Sequence, residues 1–174
     1  MLRVRPYKPS DAASIVSWIK DETAFRKWSA DRFDKYPIIA EDLNAHYVQC
    51  NDDFFTFTAF DETGVVGHFI LRFPDEKKQE GRLGFVIVDD TKRGKGYGKE
   101  MLTLALEFAF RILKVEKVTL GVFENNMAAY HCYKSVGFED AEGSWSCHVM
   151  NEDWKCRELV IMANSMDKEK GVLG

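Results

Sequence analysis

Chemistry in this chain concentrates in the stretch Val86-Ile87-Val88-Asp89-Asp90-Thr91-Lys92-Arg93-Gly94-Lys95-Gly96-Tyr97-Gly98-Lys99, where a β-branched run leads through glycines into an apolar helical pattern. Glycine tolerates positive φ and lets a ligand approach the backbone closely. The first N–H groups of the following helix lack intrahelical partners, and its dipole favours phosphate oxygens at that end. Arg93, Lys95 and Lys99 add positive charge, so the turn predicts a small phosphorylated ligand. Two common phosphate loops do not fit. A P-loop ending at Gly98-Lys99 needs glycine at position 93 and Ser or Thr at position 100, where the chain has Arg93 and Glu100. A dinucleotide fingerprint begun at Gly94-Lys95-Gly96 needs its third glycine at position 99, which is Lys99, and the strands before it read as antiparallel.

A second constellation lies downstream, at Asn126, Ala129, Tyr133, Gly137 and Phe138. Ala129 and Tyr133 share one helical face, the small side chain leaving room beside a phenol. Together the two segments resemble the GNAT superfamily of N-acetyltransferases. Arg93 to Gly98 is similar to its Arg/Gln-x-x-Gly-x-Gly/Ala turn, and Asn126 to Phe138 to its Asn-x-x-Ala-x-x-x-Tyr-x-x-x-Gly-Phe segment. The likeness in element order covers residues 2 to 163.

That resemblance implies acetyl-CoA as the acyl donor and no metal ion. Its pyrophosphate would lie on Arg93, Gly94, Lys95, Gly96, Tyr97, Gly98 and Lys99, and its pantetheine arm along Val86, Ile87 and Val88. The implied reaction is direct attack of a neutral primary amine on the thioester. The oxyanion then needs a backbone donor near Val86 to Val88. The departing thiolate needs a proton, for which the Tyr133 phenol is suited and Tyr130 is the rival. Asn126 either contacts the coenzyme or caps its helix.

Several members of that superfamily carry a glutamate on the strand before the turn, but Arg82-Leu83-Gly84-Phe85-Val86-Ile87-Val88 has no carboxylate. Glu80, Glu124, His68 and a water relay stay open as the general base. The acceptor is a small-molecule amine or a peptide or protein amino group, and Trp18, Trp28, Trp145 and Trp154 either line its pocket or fill the core. The resemblance allows a homodimer. The alternative function is a catalytically silent acyl-CoA-binding or regulatory module, against which the intact Asn126 and Tyr133 weigh.

The elements that must position these residues follow from periodicity. Strands are predicted over Leu2 to Arg5, Phe54 to Phe60, Val65 to Phe73, Leu83 to Val88, Lys117 to Phe123, Ser144 to Met150 and Cys156 to Ala163. Helices are predicted over Ala12 to Lys20, less regularly over Ala24 to Cys50 with Phe33, Tyr36, Leu43, Tyr47 and Val48 inward, and over Asn126 to Val136. The clearest helix, Lys99 to Leu113, has only a narrow polar stripe at Glu100, Thr103, Glu107 and Arg111, so it must lie on a sheet. The fold class is a single-domain α/β structure, a mixed and mostly antiparallel sheet flanked by helices, with the domain over residues 1–166 and a frayed tail over 167–174.

The totals fit one domain. The 174 residues carry a net charge of −4, which gives no general attraction to nucleic acid or to an anionic membrane, and is too small to choose an acceptor. Cys50, Cys132, Cys147 and Cys156 show no paired spacing for zinc or redox chemistry and read as reduced thiols. No run is long and apolar enough for a signal peptide or a membrane span, so a cytoplasmic location is expected.

Overall fold

The computed structural model describes residues 1–50 and 54–170. Seven strands form one sheet in the order β1-β2-β3-β4-β5-β7-β6: β1 (Arg3–Pro6), β2 (Phe54–Asp61), β3 (Gly64–Arg72), β4 (Glu80–Val88), β5 (Lys117–Phe123), β6 (Glu139–Val149) and β7 (Glu152–Met162). Short loops make β2, β3 and β4 antiparallel neighbours, as their spacing predicts. Among the described residues only β4 and β5 pair in parallel, because helix α4 (Tyr97–Glu107) crosses over between them. The β6–β7 hairpin turns on Met150 and Asn151, both at positive φ, the backbone shape that suits a two-residue hairpin.

Helix α4 packs its broad apolar surface on one side of the sheet. Met101, Leu102, Ala105, Leu106 and Ala109 are all buried there with Phe69, Leu71, Val118 and Leu120. Helices α1 (Ala12–Ser17), α2 (Glu22–Ser29) and α3 (Ala40–Val48) build a second cluster from Ile15, Trp18, Phe25 and Leu43, against Ile87. A third holds Phe123, Cys147, Val149, Trp154 and Cys156 at the β5–β7 end. The alternation of β4 thus sends Val86 and Val88 toward α4 and Ile87 toward α1–α3.

Several expected boundaries move. The first helix stops at Ser17, and Asp21 opens α2 by accepting the Ala24 N–H at 2.7 Å. Strand β4 starts at Glu80 rather than Leu83, since Glu80 to Arg82 pair with Lys117 to Thr119. Strand β6 starts at Glu139, because Glu139 and Asp140 pair with Val160 and Leu159 before an irregularity at Gly143. Val48, expected inward, is 84% exposed at the last turn of α3. Ile112 is 67% exposed because α4 ends in a π turn, Phe108–Ile112, whose wider coil rotates it off the apolar face. The chain then continues past Met162 into α6 (Ala163–Lys170), reaching into the tail expected to fray. The Ala163 N–H bonds Glu116 O at 2.9 Å and Met166 packs on the core, which holds this helix to the sheet.

Candidate active site

Strands β4 and β5 pair over Glu80–Arg82 and Lys117–Thr119 and then separate. The cause is a bulge on β4. Between the pairs His68–Ile87 and Ile70–Gly84 the strand carries one extra residue, with Phe85 at φ 48°. A bulge bends and twists its strand. The gap so opened is a cavity of about 510 Å³ between Leu83–Val88 of β4 and Leu120–Val122 of β5.

The glycine turn closes one end of this cleft. Gly94 and Gly96 take φ of 73° and 87°, and Gly96 N-caps α4 without a side-chain capping bond. The first bond of the helix ladder runs from Glu100 N to Gly96 O, 3.0 Å, so the amides of Tyr97, Gly98 and Lys99 have no intrahelical acceptor. Gly98 lets helix α5 (Met127–Ser135) come close, for a Cβ there would stand 3.2 Å from Cys132 Sγ. Arg93, Gly94, Gly96, Gly98 and Lys99 all line the cleft, with Val86, Ile87 and Val88.

Two residues of the turn do not. The Tyr97 hydroxyl donates to Asp61 Oδ2 at 2.7 Å, and Lys95 Nζ donates to Thr91 O at 3.2 Å, so both side chains brace the loop instead.

Helix α5 supplies the opposite wall through Asn126, Ala129, Cys132 and Tyr133. Asn126 occupies the N-cap position of α5, yet its side chain makes no capping bond. Tyr133 is buried edge-on to Phe138, with ring centroids 6.0 Å apart. Burial, then the neighbouring Cys132, push its phenol above the ordinary tyrosine range, so it stays protonated at neutral pH. Tyr130 is turned away and donates to Asp140 Oδ2 at 2.9 Å.

A second cavity of about 480 Å³ adjoins the first. The two share Lys27, Trp28, Leu83, Gly84, Phe85 and Gly121. Gly121 has no room for a side chain: a Cβ would meet Cys156 Sγ at 2.9 Å and Arg82 Nη2 at 3.2 Å. Over it the Arg82 guanidinium crosses β5 to reach Glu158 of β7. Of the four tryptophans, Trp28 borders both cavities and Trp145 the second, whereas Trp18 and Trp154 are core. The buried Trp28 Nε1 has no partner among the described residues.

The base candidates read from the sequence lie off both cavities. His68 is sealed in the core between Tyr47 and Phe57. Glu80 accepts from Thr119 Oγ1 at 2.5 Å, and Glu124 sits 3.5 Å from Arg157 Nε. His46 of α3 does line the second cavity, 5.6 Å in ring centroids from the bulge residue Phe85. Burial, then nearby Arg32, hold its imidazole below the ordinary histidine range, so it is neutral at pH 7. A histidine one residue before the core-facing Tyr47 carried no distinguishing spacing. Its position depends on how α3 docks over β4.

A sequence model described as the acetyltransferase (GNAT) family matches residues 16–138. A spermine/spermidine N(1)-acetyltransferase of Bacillus subtilis is 34% identical over 67 residues, which are 37% of this chain and 44% of that protein, so the chain spans under half the length of that relative. An N-acetyltransferase 9-like protein of Caenorhabditis briggsae is 25% identical over 147 residues, covering 77% of this chain and 72% of its own length. Among solved structures, a spermidine N-acetyltransferase from Vibrio cholerae in complex with CoA and spermine superposes with a TM-score of 0.78 at 19% identity, over 94% of this chain and 96% of that one. The fold is therefore shared across nearly the whole length.

Proposed function

The chain belongs to the acetyltransferase (GNAT) family, and on that premise we propose that it transfers an acetyl group from acetyl-CoA to a primary amine of a small metabolite, peptide or protein. The observation that carries this reading is the junction at Gly84, Phe85 and Gly121, where a cleft ending at a phosphate-suited helix terminus meets a second cavity. A two-substrate transfer needs such a meeting point. The CoA bound to the solved relative supports the same donor here.

In this reading the pyrophosphate takes the free amides of Tyr97, Gly98 and Lys99, with Arg93 and Lys99 adding charge. The arm follows β4 at Val86 to Val88 into the junction. The amine lone pair attacks the thioester carbonyl carbon, the C–N bond forms and the C–S bond breaks. Tyr133 gives its proton to the departing sulfur and regains one from solvent. The proton shed by the amine passes to His46, directly or through water. Asn126 borders the cleft at the start of α5, its side chain left for the coenzyme.

The test is an amine-library screen with acetyl-CoA, following free thiol and confirming the acetylated product by mass. Product formation that falls in His46→Gln, most steeply at and above neutrality where the unmodified imidazole is a free base and least on the acid side where it is protonated, is the expected result. Coenzyme binding with no transfer to any amine would leave an acyl-CoA-binding module in place of the enzyme.

A further inference from the structure

Among the described residues, the lining of the second cavity has a charge opposite to that of the chain as a whole. Lys27, Arg32, Arg72 and Arg82 line it, and no carboxylate among the described residues does. Arg72 of β3 and Arg82 of β4 are direct cross-strand partners. Like charges in that position repel and weaken a sheet.

The acids within reach form bonds with only one of the two, while Glu80 and Glu158 act on Arg72 through charge alone. Glu158 holds Arg82 by two bonds of 2.8 Å. Glu80 is committed to the Thr119 hydroxyl and lies 3.7 Å from Lys117 Nζ. The Arg72 and Arg32 guanidinium groups have no hydrogen-bond or ion-pair partner among the described residues. Arg72 is half-buried, and burial, then Arg82 and Arg32, bring it below the ordinary arginine range, a shift that the charges of Glu80 and Glu158 offset only in part. A half-buried guanidinium at a like-charged cross-strand site is costly unless an anion completes it.

We propose that the acceptor amine carries an oxyanion of its own, a carboxylate or a phosphate ester, held by Arg72 and Arg32 while its amino group reaches the junction at Gly84 and Gly121. This rests on the transfer reaction proposed above. Planar guanidinium groups match the two oxygens of such an anion. The polyamines named for the relatives are cations and would meet a field of their own sign here.

The experiment compares matched acceptors with acetyl-CoA: α-amino acids against their amides, O-phosphoethanolamine against ethanolamine, and spermidine as the cation. The expected result is a kcat/KM at least ~10-fold higher for the anionic member of one pair, the scale of a charge-assisted bidentate contact. The two pairs tell carboxylate from phosphate.

Arg72→Gln should bring that preference within ~3-fold while acetyl-CoA affinity holds, and Arg72→Lys should restore part of it. Arg32→Gln, at an exposed position, should narrow it as well should Arg72→Gln fail to fold. Equal or faster acetylation of the neutral amines or spermidine by the unmodified protein overturns the proposal and leaves the transferase reading intact. Calorimetry with CoA bound separates the converse case. Anionic amines that bind, and lose binding in Arg72→Gln, uphold the anion site even if no amine is acetylated. Failure of every anionic amine to bind overturns it.

Discussion

The Arg82 guanidinium grips Glu158 at two points, Nη1 to Oε2 and Nη2 to Oε1, each 2.8 Å, across the intervening strand β5. Trp145 Nε1 adds a third donor to the same carboxylate at 2.9 Å. Burial alone would push Glu158 up, but these partners hold it below the ordinary carboxylate range. The pair ties three strands together and removes one positive charge from the second cavity.

Glu158→Gln should therefore leave Arg82 unneutralised beside Arg72. We expect a loss of about 2 kcal/mol and a fall in Tm of roughly 4–8 °C, read by thermal denaturation. An unchanged Tm would show that the bridge contributes nothing net.

Gly96→Asp should weaken acetyl-CoA binding at least ~10-fold by setting a carboxylate against phosphate at the helix terminus. A Cβ at Gly96 meets no protein atom within 4 Å, so the fold should survive with only the strain of φ 87°. Calorimetry on the folded variant checks it, and full affinity would remove the pyrophosphate seat from the glycine turn.

Tyr133→Phe keeps the ring against Phe138 and removes only the hydroxyl. Single-turnover release of CoA should slow by ~10–100-fold, with acetyl-CoA affinity changed far less. Release at the unmodified rate would take the proton donation away from this residue.

Stability should fall with acid in two stages. A carbonyl only accepts, so His68 Nδ1 donates to Phe57 O at 2.8 Å while Nε2 accepts from the Tyr47 hydroxyl at 2.6 Å, fixing a neutral ring. Burial lowers its pKa to about 4. Unfolded histidine takes a proton near pH 6.5, so the folded state binds fewer protons between about 6.5 and 4, and stability drops across that window as pH falls. Asp11 adds a later stage. Burial raises its pKa, but Arg5, the Lys8 N–H and Thr58 lower it to about 2, so its contribution is lost as pH falls from about 3.8 toward 2. Tm against pH in His68→Gln should lose the upper stage and keep the lower.

What the sequence made legible is what local rules decide. The single polar stripe of α4 announced a helix lying on a sheet, and its Met101 and Leu102 are each 1% exposed. The glycines before it marked a close-approach turn by their type alone. The Phe85 bulge left no such mark, because an apolar run in a strand looks the same with or without one extra residue. The four cations of the second cavity come from α2, the loop after it, β3 and β4, elements that only the fold brings together. The net charge of −4 gave no hint that this one cavity is basic. Tyr97 and Lys95 share the turn's sequence with Gly96 and Gly98, but the alternation of a tight loop sends their side chains outward to Asp61 and Thr91.

The seam between β4 and β5 has a further consequence. Because the two cavities share one floor, an arm lying in the cleft would present its acetyl end as part of the second cavity's surface. An amine arriving first would find that surface incomplete, and the kinetic order would be donor before acceptor. Selectivity would then be a joint property of polypeptide and cosubstrate, the chain providing the charges and the thioester supplying the missing piece of wall.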